Sequence, residues 1–155
     1  FWRCLEFAAV GKTRRPVRDN PVLRVVTKII VPVIFLFALY VQFHGDYGPG
    51  GGFQAGVIFA AGLILYGLIF GTESIRRLIS TRLLRALIAA GLLLFAGVGL
   101  LPLLMGWNYL DYDALGQNPL SGQHLGIFLV ELGVGITVAA VMVTIFVAFA
   151  GRRDS

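Results

Sequence analysis

The sequence carries little charge for its length. Its 155 residues include 13 Lys or Arg and 8 Asp or Glu, 14% in all, whereas 57% are hydrophobic and the mean hydropathy is +0.84. A soluble domain carries roughly a quarter charged residues. The single cysteine, Cys4, also excludes an internal disulfide. The shortage of charge therefore excludes an ordinary soluble domain and indicates an integral membrane protein.

The few charges divide the chain into apolar runs long enough to cross a membrane. A hydrocarbon core about 30 Å thick takes roughly 20 helical residues. Four runs meet this requirement, and the short alternating segments typical of membrane strands are lacking. The predicted fold is all-α, with an N-terminal cytoplasmic or interfacial segment (1–21), a four-helix transmembrane domain (22–150) and a cytoplasmic tail (151–155). The predicted spans are about 22–43, 53–71, 83–106 and 125–150.

Positive charge is lacking from two of the three loops. Cytoplasmic flanks of membrane spans keep Lys and Arg, whereas translocated ones do not. All thirteen basic residues precede or begin the first span, separate the second from the third, or follow the fourth, and the loops at 44–52 and 107–124 contain none. Both termini are therefore predicted to face the cytoplasm. This asymmetry explains the net charge of +5 without nucleic acid as a partner.

Small residues recur along three of the four spans. Helices in lipid associate through small residues that let backbones approach and through polar groups satisfied across the contact. The predicted packing positions are Gly56, Ala60, Gly133, Gly135 and Ala139, and span three adds a small face at Ala86, Ala90 and Gly97. Their number predicts contacts with further transmembrane chains as well as contacts within this one.

One acid, Glu131, lies inside the fourth span. A charged side chain there costs roughly 2.5–3.5 kcal/mol on insertion scales and usually faces protein, a cavity or an ion route. Residues 131, 135 and 139 share one helix stripe, so the carboxylate lies on the side where another helix can approach. We expect Glu131 to face protein. Two roles remain open: a hydrogen bond that holds a neighbouring helix, or a proton or cation site in a relay.

The stretch FHGDYGPGGGFQ, residues 43–54, separates the first two spans. Three consecutive glycines are costly in a helix and permit positive φ, which predicts a tight turn. His44, Asp46 and Gln54 bring an imidazole, a carboxylate and an amide towards the outer membrane surface. These groups either tie the turn to the helix ends or form a relay, since histidine changes charge near neutral pH.

The sequence offers little for catalysis or for a bound metal. No Ser, Cys or Lys nucleophile is paired with a nearby base, and no cofactor fingerprint is present. Zinc typically takes four ligands, and one histidine with scattered acids does not supply them. We therefore predict neither an independent enzyme nor a cofactor or metal site.

The stretch HGDYGPGGGFQAGVIFAAGLILYG resembles the MrpB/MnhB family, whose members are subunits of the Mrp-type (Mnh-type) multisubunit cation/proton antiporters and have relatives in membrane-bound hydrogenase complexes. The resemblance covers about residues 22–150, and the run GIFLVELGVGITV, which contains Glu131, is similar to the family's last span. Asp46 stands where the family pattern often has a second histidine, which weighs against a mechanism that requires histidine there, although a carboxylate can also bind a cation or relay a proton. The family's signature between spans one and two is matched by Pro49, Gly50, Gly51, Gly52 and Phe53.

The resemblance implies a small subunit of a large complex in the prokaryotic plasma membrane, which exchanges cytoplasmic sodium or another monovalent cation for external protons. Its expected partners are other transmembrane subunits, the lipid bilayer, and the transported cations and protons. Glu131, helped by His44, Asp46 and Gln54, would line a polar path shared with neighbouring chains. One alternative is a subunit that only holds the complex together. Another is the corresponding subunit of an energy-converting hydrogenase or related respiratory complex, in which redox chemistry in other subunits drives the ions.

Overall fold

The computed structural model describes residues 20–45, 48–110 and 119–151, and every regular element in these ranges is a helix. Four of the five helices are long and apolar enough to cross a membrane, which confirms the predicted all-α fold with four spans. The cytoplasmic location of both termini stays a prediction. The helices are α1 (Pro21–His44), α2 (Gly52–Phe70), α3 (Thr72–Leu78), α4 (Thr81–Leu104) and α5 (Pro119–Gly151).

Some sequence predictions concern parts of the chain outside the described residues. They are the interfacial character of residues 1–19, the tail at 152–155, and the candidate ion-site residue Asp46.

Local sequence explains where helices begin. Helix α1 starts at Pro21. Proline suits the first helical position because the N–H that it lacks would have no hydrogen-bond partner there. Ser80 caps α4, because its side-chain oxygen accepts a hydrogen bond of 3.2 Å from the Leu83 N–H. Both starts fall where the apolar runs begin, so capping and hydrophobicity agree on the same boundaries.

Helix α5 is the centre of the fold. The most extensive helix contacts join α4 to α5, α5 to α2, and α2 to α1. Gly133 and Gly135 are two residues apart, so they point about 200° apart around α5. Gly133 faces α4, where a β-carbon would lie 2.8 Å from the Gly91 carbonyl oxygen, and Gly135 faces α2, where one would lie 3.0 Å from the Gly52 carbonyl oxygen. These two glycines let α5 pack closely between two neighbours.

The short helix α3 forms an elbow between α2 and α4 that the sequence did not predict. Its Ile75 side chain is fully buried and fills the space left by Gly67, where a β-carbon would overlap it. The other side of α3 carries Arg76 and Arg77, which are exposed, and Arg77 forms an exposed ion pair with Glu73 at 3.6 Å. Ile75 therefore anchors a basic elbow to the apolar core.

Most of the apolar surface remains uncovered by this chain. Only 17–33% of the residues in the four spanning windows are buried, although the mean hydropathy of these spans is 2.0–2.5. Apolar surface of this extent is stable only against lipid or against other apolar protein surfaces. The chain therefore has broad faces available to both.

Candidate functional site

Gly45 and residues 48–52 belong to the segment between α1 and α2, here called the glycine turn, and its described part lies against the end of α1. The Gly51 N–H donates to the Val41 carbonyl oxygen at 3.4 Å. Gly51 has φ +131° and ψ 170°, a backbone region that is essentially restricted to glycine. The turn then enters α2 at Gly52. Its sequence therefore provides a backbone shape that most other residues do not adopt.

The carboxylate of Glu131 lies against this turn. A β-carbon at Gly45 would lie 2.7 Å from Glu131 Oε2, and one at Gly51 would lie 3.2 Å from Oε1. The backbone carbonyl of Glu131 lies against Gly52, where a β-carbon would overlap it. The glycines of the turn thus make room for both the carboxylate and the backbone of one residue on α5. Glu131 is half-buried and faces protein at this point.

The His44 imidazole lies on the α1 side of the glycine turn. It is half-buried and stacks on the Tyr40 ring, with centroids 5.2 Å apart and an interplanar angle of 15°. A β-carbon at Gly48 would lie 3.0 Å from His44 Nε2. Gly45, which directly follows His44, also lies beside the Glu131 carboxylate, so the imidazole and the carboxylate both border the same turn.

The other predicted ion-site and motif residues are placed differently. Gln54 is exposed and lines a shallow surface groove together with Pro49 and Phe53, which are also exposed. Asp46 lies outside the described residues. The structure therefore puts Gln54 on the outer surface of the turn, whereas Glu131 lies on its inner side.

Sequence reasoning missed Gln42. Its side chain is only 7% exposed, and within the described parts of the chain its Nε2 has no hydrogen-bond partner. A β-carbon at Gly135 would lie 2.9 Å from Gln42 Oε1. Gly135 is one helical turn beyond Glu131, about 6 Å along the axis. Gln42 therefore supplies a buried polar group about one helical turn further from the glycine turn than Glu131.

The glycine turn and its neighbours have chemistry suited to small ions. A carboxylate can hold a proton or a monovalent cation, an imidazole can exchange a proton near neutral pH, and an amide oxygen can bind a cation. Within residues 20–45, 48–110 and 119–151, no three His, Cys, Asp or Glu side chains are grouped as ligands of a tightly held metal would be.

Fold and site together define a class. It is a small multi-span membrane protein with an acid of the central helix beside a glycine turn, and with broad apolar faces for lipid or partner chains. Residues 22–144 match the family described as "Domain related to MnhB subunit of Na+/H+ antiporter". The chain belongs to this MnhB family, as the resemblance predicted. The family is one of transporter subunits.

Individual relatives agree with this assignment. The chain is 36% identical over 139 residues to antiporter subunit mnhB2 of Staphylococcus aureus strains Newman, JH1 and Mu3 / ATCC 700698. In each case the match covers 88% of this chain and 98% of the relative. The similarity therefore extends over nearly the full length of these relatives and includes both the glycine turn and Glu131.

Proposed function

We propose that this chain is a small membrane subunit of a multisubunit Na+/H+ antiporter in a prokaryotic plasma membrane, and that it contributes both to translocation of cations and protons and to assembly of the complex. Its family and the names of its relatives support the first part. Glu131, assisted by His44, is the group that we assign to translocation. Asp46 and Gln54 remain candidates for the outer approach to it.

The observation that carries the proposal is the position of the Glu131 carboxylate against Gly45 and Gly51. Antiport requires a site that binds either a cation or a proton but not both at once, and a single carboxylate meets that requirement. A carboxylate in a membrane span is costly, so its presence calls for a compensating role. The small glycines leave the carboxylate next to a turn at the helix ends, where ions from the adjacent aqueous phase would reach it.

The charge distribution supports an outward-facing site. The Arg24 guanidinium lies 6.0 Å from the Phe70 ring centroid, which brings the start of α1 beside the end of α2. The short helix α3 and the start of α4 lie at the same end of the molecule and add Arg76, Arg77, Arg82 and Arg85 to it. The glycine turn joins the opposite ends of α1 and α2. If the basic end is cytoplasmic, as the positive-inside rule indicates, then Glu131 faces the external side.

The test is Glu131→Gln in the complete antiporter complex. Glutamine keeps the shape of glutamate but takes up no proton and carries no charge. We expect the complex to assemble normally and its sodium-dependent proton movement in everted membrane vesicles to fall at least tenfold. Glu131→Asp, which keeps the carboxyl group, should retain part of the activity. Normal assembly with unchanged antiport in Glu131→Gln would exclude a translocating role for this carboxylate.

A purely structural role is the second candidate, and the close backbone contacts of α5 favour it. Gly56 lies against α5 so closely that a β-carbon there would be 2.6 Å from the Gly135 carbonyl oxygen. A subunit that only holds the complex together would lose assembly after Gly135→Leu but would keep full antiport after Glu131→Gln. Because the proposed function also includes assembly, the Glu131→Gln result is the one that distinguishes the candidates.

A further inference from the structure

An apolar cleft of about 240 Å³ lies among α1, α2, α4 and α5. Its volume is smaller than the roughly 300–1,000 Å³ of typical small-molecule pockets. Small residues from three helices form part of its wall: Ala38, Ala55, Gly56, Gly135 and Ala139. Small residues in membrane helices allow close approach of another helix. Size and lining therefore suit large apolar side chains from a neighbouring helix better than a separate ligand.

One polar side chain, Gln42, lines the cleft among otherwise apolar residues. Its buried Nε2 has no hydrogen-bond partner in the described part of the chain, although the rest of the side chain packs beside Gly135. A buried donor without an acceptor is costly, and the bilayer core supplies no water to replace it. The last torsion of glutamine is broad, so the amide can turn into the cleft without movement of α1. After this rotation the cleft would present a donor that needs an acceptor.

The residues that line the cleft limit the kinds of occupant that can supply that acceptor. An ordered water needs two to four polar partners, and the cleft walls provide one side chain. A lipid acyl chain fills apolar space but accepts no hydrogen bond. The side chains of a neighbouring transmembrane helix can fill the space and pack on the small residues, and a polar one among them can satisfy the amide.

We propose that this cleft receives side chains of a transmembrane helix from another subunit. A carboxylate, amide carbonyl or hydroxyl oxygen on that helix accepts a hydrogen bond from Gln42 Nε2. The inference rests on membership of a multisubunit complex, which is part of the proposed function. It does not depend on ion translocation by Glu131, because its readout is contact between subunits rather than antiport.

Photo-crosslinking in the complete assembled complex tests the location. A benzophenone amino acid replaces Leu39, which lines the cleft and is 48% exposed, or Leu36, which lies on the same helix outside the cleft and is 68% exposed. From position 39 we expect a crosslink to a membrane-spanning peptide of a different subunit, identified by mass spectrometry, and from position 36 we expect at most a different peptide or lipid. Crosslinks from position 39 only to lipid, or to a second copy of this chain, would overturn the proposal.

The role of the amide is tested by Gln42→Leu combined with the probe at position 39. Interhelical hydrogen bonds in membranes are modest, so we expect the yield of the partner crosslink to fall about threefold to tenfold while the chain remains in the membrane. An unchanged yield would show that Gln42 does not join the two chains. If Gln42→Leu does not accumulate, the test uses the partner peptide that is crosslinked from position 39 in the protein that keeps Gln42. A partner peptide without an acceptor side chain at the depth of Gln42 would contradict the proposal.

Discussion

The backbone carbonyl of Glu131 lies directly against Gly52, and no β-carbon fits between them. This contact holds the start of α2 against the central helix α5 at Glu131, and the side chain of Glu131 also reaches the glycine turn. Movement of α5 relative to α2 would therefore shift the carboxylate relative to the turn. The site is built from a helix crossing, not from a loop alone.

The crossing of α4 and α5 can be tested with two glycines on one helix. A β-carbon at Gly91 would overlap Thr137 Oγ1 and lie 2.6 Å from the Gly133 carbonyl oxygen, whereas one at Gly97 would meet no atom within 4 Å. We expect Gly91→Ala to lower the free energy of unfolding in detergent by about 1–3 kcal/mol, as overpacking does. Gly97→Ala should leave it unchanged or raise it by about 0.5–1 kcal/mol. Equal effects at the two positions would contradict the described crossing.

The shape of the glycine turn predicts a selective effect of Gly51→Ala. Gly51 and Gly71 share positive φ with extended ψ, which costs alanine about 1–3 kcal/mol at either position. Of these two glycines, Gly51 is the one that lies beside the Glu131 carboxylate. Both variants should therefore lose thermal stability, but only Gly51→Ala should also lower sodium-dependent antiport per assembled complex. Antiport that falls equally in both variants would indicate a general folding defect instead.

The elbow predicts a large difference between two residues of α3. Ile75 is fully buried against Gly67, whereas Leu78 is 61% exposed. Ile75→Ala removes buried methyl groups and should cost about 2–5 kcal/mol, and Leu78→Ala should cost less than about 1 kcal/mol. Thermal unfolding of the purified complex measures both. Similar losses would mean that α3 is not anchored by Ile75.

Several features of the fold could be predicted because they follow from hydrophobicity and charge. Clusters of Arg and Lys mark one end of each of four apolar runs, and these runs form the four spanning helices. Glu131 stands out within its span as a single acid, and three consecutive glycines indicate a turn rather than a helix. Local composition alone supports each of these conclusions.

Other features depend on which helices meet, and a single sequence does not contain that information. Ala86 and Ala90, part of the small face predicted for span three, are exposed in this chain, and α4 meets α5 at Gly91 instead. Gln42 is one amide in a long apolar run, so its burial becomes visible only once Gly135 is placed beside it. The elbow α3 was missed because its charged residues resemble those of a loop.

The most direct test of the central claim is chemical labelling of Glu131 in the intact complex. Dicyclohexylcarbodiimide modifies carboxyl groups within membranes, and a bound cation shields the group from it. We expect the rate of labelling at Glu131 to fall as sodium replaces choline at constant ionic strength, with no labelled peptide at this position in Glu131→Gln. Labelling of Glu131 at the same rate in sodium and in choline would contradict the assignment of this carboxylate as the site where cations and protons compete.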